Sequence, residues 1–167
     1  MAVVNRKPRN PSLRFQSFIS NKDVSKKKPE KSLTFGLKKS GGRNAYGRIT
    51  TRHRGGGAAR LYRLVDFKRV ERAVAGKIAA IEYDPNRNVF IALVFYKNGR
   101  KSYILMPKDL KVGDFVEAGE SVEPRVGNCL PLKNIPVGFI VHNVEILPGT
   151  GGKLVRSAGA SAQIMGK

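Results

Sequence analysis

The rhythm of apolar and polar positions changes near residue 78. From there the chain reads as short β-prone runs separated by turn residues. Residues 77–83 are compatible with a strand. Asp84-Pro85-Asn86-Arg87-Asn88 then supplies a turn, with proline at a favoured position. Residues 89–96 form an almost continuous apolar run. Lys97-Asn98-Gly99-Arg100 predicts a hairpin return, because the Asn-Gly pair accepts positive φ. Residues 102–106 are the returning strand, which Pro107 ends. Further short strands are predicted at 114–117, 128–132 and 139–146. Ile135-Pro136-Val137-Gly138 reads as a junction, and Gly149-Thr150-Gly151-Gly152 as a flexible turn. This spacing predicts an all-β chain of small barrels rather than βαβ units. No long amphipathic helix and no internal repeat is evident.

Residues 1–40 follow neither rhythm. Pro8, Pro11 and Pro29 interrupt any helix, and Lys26-Lys27-Lys28 and Lys38-Lys39 repel one another in a packed element. The expectation is an extended basic arm that orders only against its partner.

Charge sharpens this picture. The 167 residues hold 32 Lys+Arg against 12 Asp+Glu, a formal net charge of +20. Self-repulsion of that size works against a compact state, and a polyanion relieves it. The imbalance is concentrated in residues 1–70, whose only acids are Asp23, Glu30 and Asp66. Those residues read as the nucleic-acid-facing part and the remainder as a folded body. A membrane partner is not expected. No apolar run reaches the length of a spanning helix, the opening residues lack the apolar stretch of a secretory signal, and the basic residues do not oppose an apolar helical face. Cys129 is the one cysteine. With two histidines it is too few for a structural zinc site, and a reducing compartment fits.

The densest chemistry lies between Ser40 and Arg63. Glycines there, Gly55-Gly56-Gly57 above all, let a phosphate backbone come close. Arg43, Arg48, Arg52, Arg54, Arg60 and Arg63, followed by Lys68 and Arg69, offer charge and planar hydrogen-bonding forks. Tyr46 and Tyr62 are candidates for stacking on unpaired bases. His53, between Arg52 and Arg54, reads as an RNA contact or a turn residue. The triple glycine lacks both the Walker spacing and a Gly-x-Gly-x-x-Gly turn, so no nucleotide cofactor is expected. His142 reads as a core or rim residue, and Cys129 as an inert buried thiol. Asp84, Asp114 and the run Glu117, Glu120, Glu123 read as turn and surface acids. Nothing pairs a Ser, Cys or Thr with a His and an acid in a catalytic motif, so no catalytic residue, metal or cofactor is assigned.

The same residues carry a resemblance. Ser40-Gly41-Gly42-Arg43-Asn44, Gly47-Arg48-Ile49-Thr50, Arg52-His53-Arg54-Gly55-Gly56-Gly57, Tyr62-Arg63 and Val65-Asp66-Phe67-Lys68-Arg69 occur in that order. So do Glu82-Tyr83-Asp84-Pro85-Asn86-Arg87, Tyr103-Ile104-Leu105, Asn134-Ile135-Pro136-Val137-Gly138, His142-Asn143-Val144-Glu145 and Arg156-Ser157-Ala158-Gly159. From about residue 40 onward the chain resembles the second protein of the large ribosomal subunit, a family found in all ribosomes.

The resemblance implies an oligonucleotide-binding (OB-fold-like) barrel over residues 41–125 with a Gly/Arg-rich lead-in. An SH3-like barrel would begin within 126–167, behind the basic arm of residues 1–40. It implies a structural, non-enzymatic constituent of the large subunit that binds large-subunit rRNA early in assembly. Other large-subunit proteins, and the small subunit across the interface, are implied neighbours. Support of subunit association, of tRNA placement and of the architecture around the peptidyl-transferase centre is implied as well. The expected location is the large ribosomal subunit in the cytoplasm, with an organellar ribosome left open. By the same resemblance Arg87 and Arg156 contact rRNA. Family members continue past residues 163–165 with a basic Gly/His-rich tail, so the second barrel is expected to be incomplete here, with an unpaired strand edge. A histidine role carried by that tail does not transfer. Composition alone leaves an extra-ribosomal RNA chaperone or annealing factor open as the alternative.

Overall fold

The computed structural model describes residues 3–22, 24–55 and 57–167. Its centre is an antiparallel four-stranded sheet in the order β7-β6-β5-β8, built from β5 (Gly76–Glu82), β6 (Ile91–Tyr96), β7 (Lys101–Leu105) and β8 (Phe115–Val116). The apolar run read from sequence is β6, the interior strand between β5 and β7, and both its faces are covered. On one face Ala92, Val94 and Tyr96 pack with Ile78, Ile104, Leu110 and Val116. On the other, Ile91 and Leu93 pack with Ala80 and Tyr103. A strand buried on both sides needs no alternation, which explains its unbroken apolar character.

The pleat assigns residues i and i+2 to one face, yet Ile78 and Ala80 belong to opposite clusters. The cause is a register shift between them in the β5–β6 pairing. The extra residue turns the second half of β5 over and bends the sheet toward closure, as bulges do in barrels. The hairpin from β6 to β7 closes through Gly99 at φ 80°, as the Asn-Gly pair predicts.

Two short ladders precede the sheet along the chain. β1 (Val3–Asn5) pairs with β2 (Ser17–Ile19), and β3 (Thr34–Gly36) pairs with β4 (Leu61–Arg63). The second ladder corrects the reading of residues 1–40 as ordered only against a partner, because residues 24–36 are fastened to the barrel. The Ser25 N–H donates to the Ile81 carbonyl at 2.8 Å, and Ser25 Oγ accepts the Ile81 N–H at 3.3 Å. The Glu30 N–H donates to the Tyr103 hydroxyl at 2.9 Å, and that hydroxyl donates to Glu82 Oε2 at 2.9 Å. Leu33 and Val65 cover the second apolar face. The sheet would otherwise expose that face to water, and the arm supplies part of the cover.

Several predicted strands are shorter than read, 114–117 reducing to β8. In 128–132 only a bridge between Ala118 and Cys129 forms, because Pro131 offers no N–H and a 3-10 turn follows at Leu132–Asn134. In 139–146 only β9 (Ile140–Val141) is strand, since Asn143 at φ 54° turns the chain away. β9 pairs antiparallel with β10 (Ala162–Gln163), and Val144 bridges to Leu154. Phe139, Ile140, Ile146 and Leu147 on this part are exposed. The architecture is therefore all-β, an OB-fold-like barrel followed by a short SH3-like β segment that does not close among the described residues.

Two outcomes follow from this packing. A Cβ on Gly76 would overlap Val94 Cγ1 and lie 2.9 Å from Tyr96 Cδ1. Gly76→Ala should therefore destabilise the chain by about 1–3 kcal/mol, read as a lower urea midpoint at unchanged m-value. Glu82 is buried, Oε1 has no hydrogen-bond partner among the described residues, and desolvation raises its pKa above 4.5 despite the hydrogen bond from Tyr103. The folded state then binds this proton more tightly than the unfolded state. Stability should fall as pH rises from 4.5 through the raised value. Glu82→Gln should flatten that slope in denaturation curves taken across the window, and a slope equal to the parent's would locate the effect elsewhere.

Candidate nucleic-acid interface

The turn after β5 is organised by one carboxylate. Asp84 was expected as a turn and surface acid, and the structure corrects this: the residue is fully buried. Its Oδ1 accepts the Asn86 backbone N–H at 2.9 Å and the Asn86 side-chain amide at 3.1 Å, an Asx turn that fixes the loop. Its Oδ2 receives Arg87 Nη1, and Arg63 Nη1 stands 3.9 Å from Oδ1. A buried carboxylate is tolerable only when paired and hydrogen-bonded, and here both conditions hold. The result is a guanidinium at Arg87 held in one orientation. Its Nη2 donates to the Tyr62 hydroxyl at 3.0 Å, and its Cζ lies 5.0 Å from the Tyr62 ring centre and 5.7 Å from that of Phe67.

The second predicted arginine arrives at the same place from the other end of the chain. Arg156 Cζ lies 3.9 Å from the Phe67 ring centre, and Nη1 donates to the Gly152 carbonyl at 3.1 Å. Asn88 Oδ1 accepts the Ala158 N–H at 3.3 Å, tying the turn after β5 to the turn that bears Arg156. A cleft of about 370 Å³ opens there, lined by Asn86, Arg87, Asn88, Leu105, Arg156 and Ser157. Arg63, Arg87 and Arg156 bring three positive charges against the single negative charge of Asp84, so the cleft stays cationic. It offers guanidinium and amide donors at fixed positions, a combination suited to phosphate and base edges.

The Gly/Arg loop forms a second concavity of about 400 Å³, lined by Lys38, Lys39, Ser40, Gly41, Gly42, Arg54 and Gly55. Asn44 Oδ1 accepts the Tyr46 and Arg48 N–H groups, both at 3.0 Å, and the Gly42 carbonyl accepts the Thr50 and Thr51 N–H groups. Gly42, at φ 72°, approaches the Thr51 carbonyl so closely that a Cβ would overlap its oxygen. Arg43, Arg48, Arg52, His53, Arg54, Gly55, Gly57, Arg60 and Lys68 are exposed, and Tyr46 is 89% exposed. His53 sits at φ 59°, so it serves as a turn residue. Arg60 reaches across to the Pro85 carbonyl at 3.2 Å and links this loop to the Asp84 turn. Gly56 lies outside the described residues.

Three assigned residues face inward instead. Arg63 and Arg69 are only 9% and 7% exposed. Arg63 Nη1 donates to the Leu61 carbonyl at 3.1 Å besides facing Asp84. Arg69 has its backbone N–H on Asp66 Oδ1 at 2.8 Å, and its Nη2 donates to the Gly127 carbonyl. Both turn most of their length into the protein rather than toward solvent, where they were expected as phosphate contacts, and Arg63 Nε and Arg69 Nη1 have no partner among the described residues. Tyr62 is half-buried beside Phe35, at 5.1 Å between ring centres, and serves Arg87 rather than an open stacking face.

Cys129 is exposed rather than buried, because its segment pairs only through one bridge. Desolvation still raises its thiol pKa, with the Arg69 charge opposing, so it is no activated nucleophile. His142 lies at the rim, and desolvation together with the Arg69 charge lowers its pKa. Among the described residues no group of three or more His, Cys, Asp or Glu is placed to hold a metal ion, and no helix is long and apolar enough to cross a membrane.

Sequence reasoning missed the burial of Asp84 and the part played by Phe67. A signal for the first was available: an acid directly after a buried strand, with Asn and Arg two and three positions on, matches an Asx turn. Phe67 carries no such local mark.

Comparison with known families agrees with this arrangement. Residues 30–118 match Ribosomal Proteins L2, RNA binding N-terminal domain, and residues 125–167 match Ribosomal Proteins L2, C-terminal domain. The first match begins at Glu30, whose N–H bonds Tyr103, and contains the Gly/Arg loop, Phe67 and the Asp84 turn. The second contains Arg156. With both arginines of the cleft in place and more than half of its length matched by the first domain alone, the chain belongs to the ribosomal protein L2 family, RNA-binding proteins of the large ribosomal subunit.

Proposed function

We propose that this chain is a non-catalytic, primary rRNA-binding constituent of the cytoplasmic large subunit. In this reading it supports subunit association, tRNA placement and the architecture around the peptidyl-transferase centre. Its neighbours are other large-subunit proteins and, across the interface, the small subunit. Residues 41–125 act as the OB-fold-like RNA-binding domain and 126–167 as the start of the SH3-like one, with the basic arm of 1–40 ahead of them, its residues 24–36 fastened to the barrel. Arg43, Arg48, Arg52, Arg54, Arg60 and Lys68 neutralise phosphates, His53 contacts the RNA from the same loop, and Gly55, Gly56 and Gly57 let the backbone of the RNA approach. Arg87 and Arg156 make the oriented contacts.

The observation that carries the reading is the pair of guanidinium groups on Phe67, one of them locked by buried Asp84. Holding the donors in advance lowers the ordering cost of binding. The exposed cations of the Gly/Arg loop act through charge. An RNA chaperone outside the ribosome would need the same charge but no such fixed pair. In sedimentation it would stay near the top of a gradient, whereas a ribosomal constituent co-migrates with large subunits at physiological salt.

If about six phosphates are neutralised, affinity for large-subunit rRNA should fall roughly a thousandfold or more between low and moderate salt. A flat titration would refute the reading. Arg156→Gln, which leaves the Asp84 pairings untouched, should weaken binding about tenfold or more at constant salt with an unchanged circular dichroism spectrum. Asp84→Asn should act differently. It leaves Arg63 and Arg87 without their buried counter-charge, so stability should drop by about 3–5 kcal/mol along with RNA affinity. A parent-like denaturation midpoint would show that the carboxylate does not hold the turn.

A further inference from the structure

Residues 3–19 make a separate small element, ahead of the region that matches the L2 domains. β1 and β2 pair over three positions, and the Arg6 N–H extends the ladder to the Gln16 carbonyl at 3.0 Å. Between them the chain folds back through the 3-10 turn Pro11–Leu13, with the Leu13 N–H on the Asn10 carbonyl at 3.1 Å and the Gln16 N–H on the Leu13 carbonyl at 3.3 Å. Pro8 and Pro11 restrict φ within this loop. Just past the turn Phe15 is 97% exposed, a whole benzyl side chain in water. Phe18 on β2 is 43% exposed and carries the Arg6 guanidinium 5.2 Å from its ring centre.

Two features of this ribbon call for a partner. A two-stranded ribbon is marginal alone in water, and an aromatic ring held in solvent beside it adds no stability. Arg6, Lys7, Arg9 and Arg14 lie in the same stretch, with no Asp or Glu among residues 3–19. The partner must therefore offer negative charge and a flat apolar face together. An acidic protein surface supplies the first without the second. Every unpaired nucleotide supplies both, a phosphate and a base, at neighbouring positions.

We propose that residues 3–19 are an RNA hook, in which Phe15 stacks on an unpaired base while Arg9 and Arg14 hold the flanking phosphates. The proposal rests on the RNA-binding function above and adds to it a contact outside both matched domains. The hook is a site for single-stranded or bulged RNA. It differs in kind from the Arg87–Arg156 cleft, which presents oriented donors and no exposed ring.

The chain contains no tryptophan, so the full-length Phe15→Trp variant carries a sole indole at the site. Its emission should be quenched by large-subunit rRNA and by poly(U), and unchanged by a blunt RNA duplex or by poly-glutamate, which brings charge without rings. Phe15→Ala should bind the rRNA about tenfold more weakly, whereas Phe15→Trp should bind like the parent. Quenching by poly-glutamate or by the duplex to the same degree as by poly(U) overturns the stacking assignment. So does Phe15→Ala binding within about twofold of the parent with the indole unquenched. If the parent binds rRNA with a steep salt dependence and only the Phe15 results are negative, the hook alone fails. If the parent does not bind rRNA, the functional reading fails and the hook with it.

Discussion

A carboxylate with no exposure to solvent, Asp84, sits between two arginines, and the geometry of the interface follows from it. Burying that charge is tolerable only because Arg87, Arg63 and the amide groups of Asn86 surround it. The constraint acts both ways. The arginines cannot swing into solvent without stranding the acid, so Arg87 stays against Tyr62 and Phe67. Phe67 then serves as the common platform on which Arg156, from the C-terminal part of the chain, comes to rest. An acid in a basic protein thus works as an orienting device, at the cost of one unit of positive charge.

The barrel supplies the fixed frame that this network needs. A central strand covered on both faces and a bulge that turns β5 over bring the Asp84 turn close to β4, which carries Tyr62 and Arg63. Cover for the second face comes partly from Leu33, so residues 24–36 belong to the folded body although their composition is that of a tail. The hydroxyl of Tyr103 joins the two by bonding the Glu30 N–H and Glu82. Charge repulsion in the arm is offset there by ordinary burial and hydrogen bonding.

The cations between Arg43 and Arg69 divide into two kinds. Those of the Gly/Arg loop are exposed and lie on a backbone shaped by glycines. Arg63 and Arg69 have been drawn inward, where carbonyl groups and Asp84 take part of their donors. The count of basic residues in a sequence therefore overstates the number available to a polyanion.

Much was legible beforehand. The β-class, the hairpin at Asn98-Gly99, the apolar β6 and the cationic Gly/Arg loop all depend on local preferences and on charge, which each residue carries with it. Arg87 and Arg156 were each singled out through family resemblance, but their meeting on Phe67 was not read, since 69 positions separate them. Other features are decided only when distant segments meet. Asp84 became a buried anchor because Arg63 approaches from another strand. Leu33 became cover because an apolar sheet face stood open, and Phe67 became a platform because two turns converge on it. Burial and pairing are properties of a neighbourhood rather than of a residue, and a sequence pattern that specifies strands does not say which of its charges the folded chain will enclose.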